Sequence, residues 1–191
     1  MSKAEEEFKV APHVKNKHTD DLIDHYWGSI TYVASLIKAS ELKAGLILSF
    51  YGILFNFIFQ NINVVLSHFV NENAVAIYFL LGLWFLSMIL SIYYSIRCFM
   101  PRIEGKYDKN IFFFRDVISR FGDIKSFSRT FYDISLDEDQ LFDHLGQQVY
   151  INSKIASVKF MNVNRSLRFL AVGLFILLII SVYYVLTIII V

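Results

Sequence analysis

The absence of charge from three long stretches constrains this chain more than anything else in it. No Asp, Glu, Lys or Arg occurs from Ala44 to Asn71, from Asn73 to Ile96, or from Phe169 to the final Val191. A helix rises 1.5 Å per residue, so about 20 apolar residues cross the hydrocarbon core of a bilayer, and each run is long enough. A chain that is 55% hydrophobic and 18% charged has too much apolar surface to remain disordered. Its net charge of +1 offers no general argument for nucleic-acid binding. A single cysteine excludes an intrachain disulfide.

These runs predict an all-α integral membrane protein with transmembrane helices near 44–66, 74–97 and 168–190. Residues 1–43 form an amino-terminal tail and amphipathic helix, 44–98 a transmembrane helical hairpin, 99–166 a helical module, and 167–191 the third transmembrane helix. The first 40 residues are polar and charged, unlike a cleavable signal peptide. All 18 Lys and Arg residues fall on one side of this layout, six before the first span and twelve between Arg97 and Arg168. The connection Ser67–Asn73 has none. Because basic residues collect on the cytoplasmic side, the amino terminus and the 99–166 module are expected to face the cytoplasm.

The segments between the spans also read as helical. Leu22, Ile23, Tyr26, Trp27, Ile30, Val33, Ala34 and Ile37 make a helical stripe with no proline to stop it before the membrane. That helix should run directly into the first span. Pro101 should close the second, following Arg97 and Cys98, with Cys98 read as a buried free thiol. A helix is expected over 110–121 from Ile111, Phe112, Phe114, Val117, Ile118 and Phe121, with a break at Gly122 and Asp123. Ser135 and Glu138 have the spacing of a capping box, opening a helix that continues through the third span and is loosened at Gly146.

The first span carries the most informative pattern. Gly45, Ser49, Gly52, Asn56, Gln60, Asn63 and Ser67 are three or four residues apart and form one stripe. An unpaired amide at membrane depth costs several kcal/mol, so such a stripe meets another helix or water. It is read either as a helix contact, or as the lining of a polar path, which three spans can enclose only in an oligomer. Ser87, Ser91 and Ser95 make a second, weaker stripe, read as packing.

Catalysis finds no support. The chain lacks a phosphate loop, Cys-x-x-Cys, His-Glu-x-x-His and Gly-x-Ser-x-Gly, so no catalytic residue, metal site or cofactor is expected. His25 beside Asp20, Asp21 and Asp24 reads as a solvated acidic helix start, since helix N-termini attract carboxylates.

Several stretches resemble the transmembrane effectors of bacterial Pycsar antiphage defence. They are Ala39-Ser40-Glu41-Leu42-Lys43-Ala44, Pro101-Arg102, Phe121-Gly122-Asp123-Ile124-Lys125-Ser126, Tyr132, Gln148, and Asn152-Ser153-Lys154-Ile155-Ala156 through Lys159-Phe160. The resemblance covers about residues 25–185. It implies an inner-membrane effector that senses a cyclic pyrimidine mononucleotide, cCMP or cUMP, made by a partner cyclase, and then impairs the membrane and stops growth. Assembly as a homo-oligomer in the lipid bilayer is expected on separate grounds, since three spans do not enclose a polar path by themselves. A cyclic phosphate is an anion that seeks arginine, lysine or backbone amides near aromatic surfaces. The candidates in the module are Arg102, Arg115, Lys125 and Arg129, with Phe121 or Tyr132 available for base stacking. A non-catalytic membrane scaffold and a small channel subunit that responds to a protein partner are the alternatives.

Overall fold

The computed structural model describes residues 17–60, 75–100 and 108–190. They form α1 (Lys17–Gln60), α2 (Val75–Phe99), α3 (Phe114–Ser119), α4 (Ile124–Leu136) and α5 (Glu138–Ile190), with no strand among them. Asn63, Ser67, Pro101, Arg102, the far end of the first span and most of the amino-terminal tail lie outside the described residues. Among the described residues, three helices are long and apolar enough to cross a membrane, at His18–Gln60, Ile77–Phe99 and Glu138–Leu186. As the uninterrupted periodicity requires, α1 runs from the amphipathic segment into the first apolar run without a break; at Gly146, where loosening is expected, α5 instead continues as one helix.

The chain divides into two compact units. One contains the start of α1 up to Thr31 and Lys109–Val149; the other contains the rest of α1 from Tyr32, all of α2, and α5 from Tyr150 onward. Both α1 and α5 contribute residues to both units.

The second unit inverts the pattern of a water-soluble core. Serines are inside: Ser40, Ser91, Ser95 and Ser166 are fully buried, among Ala44, Ile47 and Tyr51 of α1, Met88 and Cys98 of α2, and Val163 of α5. Large apolar side chains are outside, with Ile53 at 72%, Phe79 at 71% and Phe175 at 66% exposure. In water this arrangement would forgo most of the burial that drives folding, whereas in lipid the outward apolar surface is already in its preferred solvent.

Polar contacts then hold the helices of this unit together. Ser91 Oγ donates to the Ser166 carbonyl at 2.9 Å and Ser166 Oγ to the Ser91 carbonyl at 2.7 Å. Ser95 and Ser166 hydroxyls lie 2.8 Å apart, and Ser87 Oγ donates to the Phe169 carbonyl at 2.7 Å. A Cβ on Gly173 would sit 3.5 Å from Ser87 Oγ, an ordinary van der Waals contact, which places Gly173 on the α2–α5 seam. Near one end of this contact the Lys159 ammonium, its side chain 5% exposed, donates to Glu41 Oε1 at 2.6 Å and to the Cys98 carbonyl at 2.9 Å. The Cys98 thiol lies 3.6 Å from the Ser40 carbonyl, so α1, α2 and α5 meet in one polar knot.

The first unit is a small helical lobe around Ile111, Phe121 and Ile134, with Phe112 and Phe127 packed against them. Two local expectations fail here. The helix expected over 110–121 forms only at Phe114–Ser119, because the fully buried Asn110 side chain accepts the Phe112 N–H at 2.8 Å and bends the backbone into a turn. Ser135 does not cap α5: it lies inside α4 and donates to the Phe131 carbonyl at 2.7 Å. The residue with the extended backbone that a cap needs is Asp137, whose carboxylate accepts the Gln140 N–H at 3.1 Å. The expected break falls at Gly122, where φ is +77°, a conformation that glycine adopts without strain.

Candidate functional site

The turn that ends α3 and the cap that starts α4 set the cationic face of the first unit. Asp123 has the extended backbone of an N-cap, and its carboxylate accepts the Ser126 N–H at 2.7 Å. That bond favours the charged form and holds the Asp123 carboxyl below its ordinary range. Starting from this cap, Phe127, Phe131 and Ile134 turn toward Ile111, Phe121 and Phe112, with Phe127 edge-on to Phe121 at 5.3 Å and Phe131 edge-on to Phe112 at 6.0 Å. The spacing of four and three then places Lys125, Arg129 and Tyr132 together on the other side of α4, all three exposed. Two cations spaced over two helical turns on the same face as a phenol ring can hold an anionic phosphate and offer a surface for a base.

The remaining candidates do not all join them. Arg115 is exposed on α3, and Arg102 lies outside the described residues. Phe121 is 5% exposed, and its ring already carries the Lys109 ammonium 3.8 Å from its centroid. Beside it is a network that sequence reasoning missed. The Asn110 side chain donates to the His144 carbonyl at 2.7 Å, its backbone N–H donates to Asp116 Oδ2 at 3.1 Å, and Asp116 pairs with Arg120 at 3.5 Å. This ties the turn before α3 to α5. Each partner is an ordinary polar residue with nothing in its local pattern to mark it. Tyr26 stacks on Phe142 at 5.7 Å and Trp27 stands edge-on to Phe112 at 5.6 Å, so the helical stripe of α1 completes the lobe.

The stripe of the first span has a different fate. A Cβ on Gly45 would meet the Phe99 ring at 3.8 Å, but one on Gly52 would meet nothing within 4 Å. Ser49, Gly52, Asn56 and Gln60 are exposed, and the Gln60 amide donates to Asn56 Oδ1 at 3.4 Å. The face of α1 that packs on the chain's own helices is instead Ser40, Ala44, Ile47 and Tyr51. From Ser49 to Gln60, then, the stripe is exposed, and the face of α1 that enters the buried core is a different one.

A chain whose described residues are helical, with three membrane-length helices among them, buried serines between those helices and large aromatics exposed, belongs to the membrane proteins rather than to the soluble helical bundles. Its family follows from comparison with known sequences: residues 25–187 match PycTM, the Pycsar effector protein domain. The chain belongs to that family, a non-enzymatic group of antiphage defence effectors whose signal is a cyclic nucleotide from a partner cyclase. No curated protein and no solved structure matches it.

Proposed function

We propose that this protein is an inner-membrane effector gated by a cyclic pyrimidine mononucleotide, cCMP or cUMP, and that the gated state breaches the bilayer and arrests growth. The observation that carries this reading is the pairing, in one chain, of an exposed Lys125–Arg129–Tyr132 face with a membrane-length helix on which Asn56 and Gln60 are exposed and bonded to each other. The first suits a cyclic phosphate and its base. The second suits a polar contact or path that forms only between copies of the chain in lipid. The amino terminus and the segment between the second and third spans face the cytoplasm, where a cyclase product would be released, because the basic residues collect there. Since α1 and α5 continue from one unit into the other without a helix break, a ligand that repacks the first unit acts on backbone shared with the second.

The test is binding of cCMP, cUMP, cAMP and cyclic dinucleotides to the detergent-purified chain, paired with membrane potential in cells that make each nucleotide. A pyrimidine mononucleotide should bind and depolarise the cells, and the double change Lys125→Ala with Arg129→Ala should weaken binding at least tenfold. No binding across the whole set, or depolarisation that needs no nucleotide, would overturn the proposal in favour of a scaffold or a constitutive channel subunit.

A further inference from the structure

The outer face of α1 has chemistry that lipid does not accept. Ser49, Gly52, Asn56 and Gln60 lie about 150° around the helix axis from Ala44, Ile47 and Tyr51, the residues that pack on α2 and α5. Polar residues therefore sit almost opposite the buried face, in a helix whose other exposed positions include Leu46, Ile53 and Phe57. The long Gln60–Asn56 bond occupies one lone pair of the Asn56 carbonyl and neither of its two N–H donors. Because α1 already commits its opposite side to the chain's own helices, this amide capacity is directed outward.

We infer that the Ser49–Gly52–Asn56–Gln60 face of α1 is a seam that binds the same face of a second copy of this chain. A carboxamide both donates and accepts, so two identical amide faces brought together around a two-fold axis satisfy each other without any complementary sequence. Gly52, with open space where a Cβ would stand, and Ser49 let two such backbones come close enough for short side-chain amides to bridge. Lipid tails supply no hydrogen bonds, so bilayer contact leaves the amides unsatisfied. A contact made through charge would call for an ionic group on the seam, and Ala44–Asn71 contains none. The inference rests on α1 crossing the bilayer, and it holds whether or not a nucleotide is the signal.

Disulfide trapping in native membranes tests it on the full chain. In a Cys98→Ser background, which removes the only cysteine, Ser49→Cys, Gly52→Cys and Asn56→Cys should each give a homodimer under mild oxidation. Leu46→Cys, Ile53→Cys and Phe57→Cys, about 80° away around the axis, should give at least fivefold less. Adding Asn56→Leu should cut trapping through Ser49→Cys at least fivefold, while Asn56→Gln should restore it. Each variant is measured with and without cCMP and cUMP. Trapping on the 49–52–56 face in either condition supports the seam, even if nucleotide binding fails. Equal trapping on both faces, trapping only through 46, 53 and 57, no trapping in any condition, or an adduct of another mass would overturn it.

Discussion

Two polar stripes with nearly the same spacing meet opposite fates. Ser87, Ser91 and Ser95 of α2 face Ser166, Phe169 and Gly173 of α5, where each hydroxyl is bonded within the chain. Ser49, Gly52, Asn56 and Gln60 of α1 are exposed, on the side of the helix away from its buried face. Periodicity identifies a face that should avoid lipid; it does not say whether the partner is in the same chain. The difference lies partly in side-chain size. A serine hydroxyl reaches a neighbouring carbonyl only when the helices are in close contact, which suits a tight α2–α5 seam. Asn and Gln carry both donors and acceptors, so they can pair with identical groups on a second copy after the chain has folded.

Four experiments would break or sharpen this contrast. The largest effect is expected at the inner knot. Glu41→Ala leaves the buried Lys159 ammonium with only the Cys98 carbonyl and should cost about 2–3 kcal/mol, under the range for a fully enclosed pair because the Glu41 side chain is 39% exposed. Lys159→Met, which removes the buried charge and leaves a carboxylate that water can reach, should cost less; thermal unfolding in detergent ranks the two. Equal losses would show that the knot is not an enclosed charge site.

Ser166→Ala comes next. It removes a buried hydroxyl that bridges Ser91 and Ser95, and about 1–2 kcal/mol of stability should go with it, read by the same unfolding measurement. Asn56→Leu should do the reverse of Ser166→Ala. Thermal stability of the isolated chain stays within about 0.5 kcal/mol, because the residue is exposed, yet growth arrest in expressing cells weakens while insertion and abundance persist. A large loss of stability at Asn56 would mean that the outer face is part of the fold and the contrast is false.

The smallest effect belongs to Asp123. Its folded-state carboxyl is held below the ordinary range by the Ser126 N–H, so the cap's contribution is complete above the unfolded carboxyl range near pH 4 and fades as pH falls through the folded value. Amide exchange at Ser126 should quicken on acidification, and Asp123→Asn should remove most of that pH dependence. An unchanged profile in Asp123→Asn would assign the pH response to another group.

Much of the fold was legible without tertiary information. The charge-free runs located three membrane-length helices, the lack of proline joined the 20–43 stripe to the first span, and Gly122 marked the break before α4. The serine stripe was rightly read as packing. Less of the candidate site could be seen in advance. Lys125, Arg129 and Tyr132 fall on one face by spacing alone, but the burial of Phe121 beneath Lys109 depends on how α4 folds back on the turn before α3. The misplaced cap has a similar origin: Ser135 satisfies its hydroxyl within α4, a competition that a four-residue motif does not reveal.

What the sequence determined by itself was local and periodic: which segments can enter lipid, which residues share a helical face, and where the backbone can turn. Those properties depend on near neighbours and on the fixed geometry of a helix. Tertiary structure alone decided the partners. Lys159 finds Glu41 across 118 residues, Asn110 draws His144 and Asp116 together, and α1 gives its apolar face to the chain while turning its amides outward. Such choices are settled by competition among all available surfaces at once, where a close fit at one face leaves the opposite face of the same rigid helix without a partner in its own chain.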